Sequence, residues 1–319
     1  MKQKIIIGAS LLLLIIVLIL MAGDLFNKNK TYKNPYEYDL GNLRKVDPEQ
    51  ICYSEVMQIK PEIDKLIGLC TDANDMIYVC GTANVFIYDK KGIQVSSFET
   101  NTDATCIAVS PDNIIFLAKL DHIEEWSSNG ELISSWDILN EKVHITSIAV
   151  TDSSVFIADA GNKIVYHYNR SGEFINTIGG NNTINGVKGF IIPSPYFDVL
   201  AGRNGEVWAI NTGMHSFEAY KHSGELIYSW HKSSMQIDGF SGCCNPSHVA
   251  MLSNGSFVTS EKGIERVKIH LPSGEFKCVV AEPDKFIEGT KGMDLAVDSE
   301  DRILVLDPGK GMIRIFTEI

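Results

Sequence analysis

Two groups of residues in this chain have the types and spacing for chemistry. The string FSGCCNPSHVAML at 240–252 sets adjacent cysteines, Cys243 and Cys244, just ahead of His248. Adjacent thiols can close into a tight vicinal disulfide. With an imidazole beside them they can instead act as soft ligands for Cu(I) or Zn²⁺. The plainer alternative is an ordinary pair, one packed inward and one exposed. The second group is His248 with Asp198 and Asp294, one imidazole and two carboxylates that could hold a divalent cation, Ca²⁺ or Zn²⁺. The alternative there is a polar, water-filled passage in which the acids pair with His248 or with backbone amides. Glu261, followed by Lys262 and Arg266, adds charge downstream. It either engages an anionic or peptidic partner or is simply solvated.

Asp198, His248 and Asp294 stand far apart in sequence, so repeated elements must bring them together. Five polar turns, each ending in glycine, are flanked by hydrophobic runs: YDKKGIQVSSF, WSSNGELISSW, YNRSGEFINTI, YKHSGELIYSW and LPSGEFKCVV. Their glycines, Gly92, Gly130, Gly172, Gly224 and Gly274, recur every 38 to 52 residues. Such runs around a glycine turn predict hairpins. A more apolar hairpin precedes each, with first strands at LCT, CIAV, SIAV, FDVL, HVAM and MDLAV. Four short strands, A to D, recurring at this period predict the blades of a β-propeller. Runs of four to six residues rich in Val, Ile, Phe, Tyr and Thr exclude a helical repeat.

Alignment of the units places Gly68, Cys106, Ser147, Asp198, His248 and Asp294 at one offset, as a ring around one channel mouth. Asp159, Asn211, Glu261 and Asp307, at the ends of the B strands, are expected on the same face. The sixth unit stops after strand C. Open sheet edges invite aggregation, so residues 51–60 (ICYSEVMQIK) are expected to supply its outer strand and close the ring. The predicted fold is therefore all-β, a six-bladed propeller over residues 51–319.

Residues 5–23 form an uncharged apolar run after Lys2 and Lys4. As a helix the run spans roughly 28 Å, about the thickness of a bilayer core. No A-x-A cleavage pattern follows, so 1–23 reads as an uncleaved transmembrane signal anchor and 24–50 as a tether, with the propeller outside the cytoplasm. Net charge is −12 without a basic block, which argues against a nucleic-acid partner. The seven cysteines include no C-x-x-C, and no Gly-x-Ser-x-Gly, His-Glu-x-x-His or phosphate-loop motif occurs.

Residues 157–180, IADAGNKIVYHYNRSGEFINTIGG, resemble an NHL repeat, and 303–316 (ILVLDPGKGMIRIF) repeats its outline. The resemblance covers about 66–316 and implies a six-bladed propeller. Such propellers include protein-binding modules, lyases and hydrolases, so it does not choose among activities. Lyases of this type use several histidines around zinc, whereas only His248 holds such a position here. The expected function is a membrane-tethered extracytoplasmic binding or scaffold module that presents one propeller face to a protein or small ligand. The alternatives are a metal-dependent hydrolase or lyase at the channel mouth, and a redox or metal-handling protein using Cys243 and Cys244.

Overall fold

In the computed structural model, described for residues 8, 12–19, 21, 40–138, 141–180 and 189–319, the chain divides into two units, 1–40 and 41–319. In the first, residues 12–19 are helical. Among the described residues no helix is long and apolar enough to cross a membrane. Apart from Gly8 and Met21, the remainder of the expected 5–23 span, and residues 24–39 of the expected tether, lie outside the described residues.

The second unit is a six-bladed propeller built from six four-stranded antiparallel sheets. Blade one runs through Leu66–Thr71, Ile77–Gly81, Asn84–Tyr88 and Gln94–Glu99, and the next four blades repeat that order. Blade six takes Leu295–Val297, Ile303–Asp307 and Met312–Glu318 from the C-terminus. Its outer strand is Tyr53–Ile59, paired antiparallel to Met312–Glu318 from Tyr53↔Glu318 to Ile59↔Ile313. The closing strand anticipated at 51–60 is therefore in place.

Burial explains the sequence pattern blade by blade. Strand B of every blade is sandwiched on both faces, so Ile77–Gly81, Ser154–Asp159 and Ile303–Asp307 are buried throughout. The outer strands Gln94–Glu99 and Leu132–Asp137 have one face in water and alternate. The core lies between blades rather than within them. At the seam Leu69, Val79 and Tyr88 of blade one pack against Ile59, Leu304, Leu306, Ile313 and Ile315 of blade six. Each such side chain removed from water contributes about 1.5–3 kcal/mol.

The C–D turn glycines are needed for more than turning. Gly130 has φ +81°, and a Cβ there would sit 2.5 Å from Phe98 of the previous blade. At Gly92 a Cβ would press on Ile59 and Met57 of the closing strand. A turn with positive φ thus packs against the outer strand of the blade before it, and no residue with a Cβ meets both demands.

A disulfide that the sequence pattern did not reveal fastens the closing strand. Cys52 bonds to Cys278, 226 residues away, in the outer strand of blade five. The backbone follows the same path, with Cys52 N–H donating to Val279 O at 3.1 Å. Ahead of it a short helix, Leu40–Leu43, leads to Arg44, which is ion-paired with the buried Glu265 of blade five. Replacing Cys278 with alanine is expected to lower stability by about 2–4 kcal/mol, with the native sheet content retained. Chemical denaturation followed by circular dichroism measures both.

Candidate functional site at the channel mouth

Strand A of each blade starts at the mouth of the central passage. Cys106, Ser147, Asp198, His248 and Asp294 line the passage, a cavity of about 220 Å³, as their shared offset predicts. Gly68, the sixth member of the expected ring, is not among the lining residues. Above the passage lies a wider mouth of about 480 Å³, walled in part by Lys65, Asp103, His144, Tyr196 and Gly292. Ile67, Thr105, Thr146 and His248 line both spaces, and of these four His248 alone is ionisable.

Three residues distant in sequence meet there. His248 Nδ1 is 3.4 Å from Asp294 Oδ1 and 3.8 Å from Asp198 Oδ2. The carboxylates are not free ligands, however. Asp294 accepts Leu69 N–H at 2.7 Å and Leu295 N–H at 2.8 Å, one on each oxygen. Asp198 accepts Val249 N–H at 2.8 Å. Each acid thereby ties its own inner strand to that of the next blade, Asp198 linking four to five and Asp294 linking six back to one. Among the described residues no group of three or more His, Cys, Asp or Glu side chains is arranged to hold a metal ion. The arrangement gives a hydrogen-bonding, anionic floor beneath an imidazole.

Burial dominates the electrostatics of that floor. It raises the pKa of Asp294 to about 6, with His248 opposing and the Asp198 charge reinforcing the rise. Asp198 is also raised by burial, against the pull of His248, Ser147 and backbone donors.

Glu261 does not join this group. It is buried with its carboxylate 2.8 Å from Arg266 Nε and 3.2 Å from Lys268 Nζ, an ion triad inside blade five. Burial works against its ionisation, but the Lys268 and Arg266 charges hold its pKa below the usual carboxylate range. The other acids expected at the B-strand ends also serve the fold. Asp159 accepts backbone N–H groups of His144 and Gly161, and Asp307 pairs with Arg314.

Cys243 and Cys244 sit on the connection into blade five. Their sulfurs are 3.0 Å apart, both thiols are free, and Cys243 is exposed while Cys244 is buried. They do not form a ligand group with His248. They are nevertheless linked to it through Lys262. The Lys262 ammonium lies 4.4 Å over the Tyr196 ring, and that ring packs edge-on against His248, with centroids 5.8 Å apart. Sequence reasoning missed Tyr196 and His144. Both come from connections between blades, whose course no repeat pattern specifies.

Two outcomes follow from these environments. The folded protein binds protons at Asp294 at higher pH than the ordinary 3.8 of an aspartate, so this group adds stability as pH falls from about 6 towards 4. Relative to Asp294→Asn, wild type is expected to gain up to about 3 kcal/mol between pH 8 and pH 4 in urea denaturation. Glu261→Ala strands two buried cations and is expected to cost about 3–5 kcal/mol in the same measurement.

No family model matches the chain, and no curated protein matches it. Solved structures do. A streptogramin B lyase shares 10% identity at a TM-score of 0.56, over 84% of this chain and 98% of that one. A catalytically inactive histidine-to-alanine variant of virginiamycin B lyase from Staphylococcus aureus, with quinupristin, shares 13% at a TM-score of 0.54, over 81% and 82%. Selenomethionine-substituted virginiamycin B lyase from Staphylococcus aureus shares 10% at 0.56, over 84% and all of that chain. At these identities the likeness is one of fold, and it places this chain among six-bladed propellers with lyase-like structural neighbours.

Proposed function

We propose that this chain is an extracytoplasmic binding module of NHL-repeat type, tethered to a membrane through residues 5–23, whose ligand enters the wide mouth and is read by His248. The observation that carries this reading is the position of His248, the one ionisable side chain that lines both mouth and passage, against the carboxylates of Asp198 and Asp294. A concave, rigid site with a few converging polar groups is what ligand recognition requires. The anionic floor and the net charge of −12 favour a ligand that brings a cationic or hydrogen-bond-donating group, on a protein loop or a small molecule. The Cys52–Cys278 disulfide supports an oxidising compartment, and the apolar run after Lys2 and Lys4 supports an anchor. Chemistry of the neighbours' kind finds less support, because the passage offers one histidine and its acids already hold backbone amides.

The test compares wild type with His248→Ala as bait in detergent-solubilised envelope from the native host. Circular dichroism first establishes that both are folded. A partner retained by wild type and weakened at least about tenfold by the substitution, roughly 1.4 kcal/mol, is the expected result. Equal retention by both proteins would remove the mouth as the binding site.

A further inference from the structure

The chain has seven cysteines, and their surroundings divide them into three classes. Cys52 and Cys278 form the disulfide. Cys70, Cys80 and Cys106 lie in the inner strands of the first two blades, where burial raises their pKa values, Cys80 to about 12. Such thiols are almost wholly protonated at neutral pH and do not act as nucleophiles. Cys243 and Cys244 belong to neither class.

The dithiol sits in a braced cradle. Buried Asn245 donates from its side-chain amide to Ser241 O at 2.8 Å and Lys262 O at 3.1 Å, and its Oδ1 accepts Lys262 N–H at 3.0 Å. His215 holds the other end of the loop through Gly242 O at 2.5 Å. These contacts fix the two sulfurs beside Lys262. Burial opposes ionisation of Cys244, but hydrogen bonds from Ser194, Cys243 and Lys262, with the Lys262 charge, bring its pKa below that of an ordinary thiol. Cys243 moves the other way, because it donates its proton to the same sulfur. The two sulfurs are thus in contact at 3.0 Å, the more acidic one buried and the less acidic one exposed.

The cation beside the sulfurs decides between two chemistries. A bound metal cation would meet the Lys262 ammonium at close range, whereas a thiolate attacking a neutral disulfide keeps its favourable partner. We propose that Cys243 and Cys244 form a thiol–disulfide exchange site that accepts low-molecular-weight disulfides at the mouth face of the propeller. Cys244 first loses its proton to water; exposed Cys243 then passes its own proton to Cys244 and, as thiolate, attacks one sulfur of the disulfide RSSR. A Cys243–SR bond forms, the S–S bond of RSSR breaks and RS⁻ departs. RS⁻ takes the proton from Cys244 and leaves as RSH. The Cys244 thiolate, facing Lys262, then attacks Cys243 Sγ and expels the second RS⁻, which takes a proton from water. Two thiols are oxidised to one disulfide and RSSR is reduced to two RSH. This proposal is independent of the ligand reading at His248.

The test incubates the folded protein with oxidised glutathione and follows it by peptide mass spectrometry. Wild type is expected to lose two hydrogens in the peptide carrying Cys243 and Cys244 and to accumulate no glutathione adduct, while Cys70, Cys80 and Cys106 stay reduced and are alkylated only after denaturation. Cys244→Ser should trap the mixed disulfide on Cys243. Cys243→Ser should react at least about tenfold more slowly, since only the buried sulfur remains. Lys262→Met should move the pH profile of Cys243 and Cys244 alkylation to higher pH without altering secondary structure, a change that a purely structural lysine would not produce. If Cys244→Ser does not fold, Cys243→Ser decides alone. Wild-type reactivity in Cys243→Ser, or a wild-type dithiol still free after oxidation with the fold intact, overturns the proposal. Partner capture through His248 should persist in Cys243→Ser, so either idea can fail without the other.

Discussion

A ring of blades is stable only if its ends meet, and the seam between blade six and blade one is the constraint on which the rest of this structure rests. Strand pairing alone would leave Tyr53–Ile59 held by one neighbour on one edge. Here the seam is fastened at several radii. Near the axis Asp294 accepts Leu69 N–H and Thr71 donates to Val297 O at 2.8 Å. On the far face Asp75 accepts both the N–H and the hydroxyl of Ser299. At the perimeter Gly92 lets its turn sit against Ile59, and Cys52 is bonded to blade five. Opening the ring would break all of these together and expose an apolar interface. Closure is thus cooperative, and strand and disulfide reinforce one another.

The same closure shapes the candidate site. Inner strands are short and crowded, so their first residues face both the passage and the neighbouring blade. Aspartate suits such a position because one oxygen can accept a neighbour's amide while the charge faces inward. Asp198 and Asp294 do this at two junctions, and Ser147 does it at a third by accepting Val199 N–H at 3.3 Å. The channel polarity that reads from sequence as a binding site therefore has a structural origin first. His248 differs. Its ring bridges no blades through a backbone bond, and it lines both mouth and passage against two acids. That difference is why recognition is assigned to the histidine rather than to the carboxylates.

Sequence made the architecture legible because propeller blades are local. A glycine turn between two apolar runs specifies a hairpin without reference to the rest of the chain, and five such turns alternating with six inner hairpins imply a ring. Even the closing strand could be located, since an unpaired edge has to be covered. The shared offset of Asp198, His248 and Asp294 carried over for the same reason. What failed to read through was non-local. Glu261 resembles a rim acid, because nothing in ERVKIH says that Arg266 and Lys268 fold inward around it. The partner of Cys52 is 226 residues away, and cysteine spacing carries no information about strands that meet only at closure. Tyr196 and His144 lie on connections, which obey no period.

Lys262 shows how one such connection acquires chemical meaning. Its ammonium faces a thiol on one side and the Tyr196 ring on the other, and Tyr196 leads directly to His248. A cation shared between an anion and an aromatic face responds to the loss of either. A thiolate at Cys244 and the Tyr196 ring would therefore compete for the one ammonium. Two sites formed from separate stretches of sequence thus share one neighbouring side chain while each keeps its own polar partners, the acids for His248 and the Asn245 cradle for the dithiol.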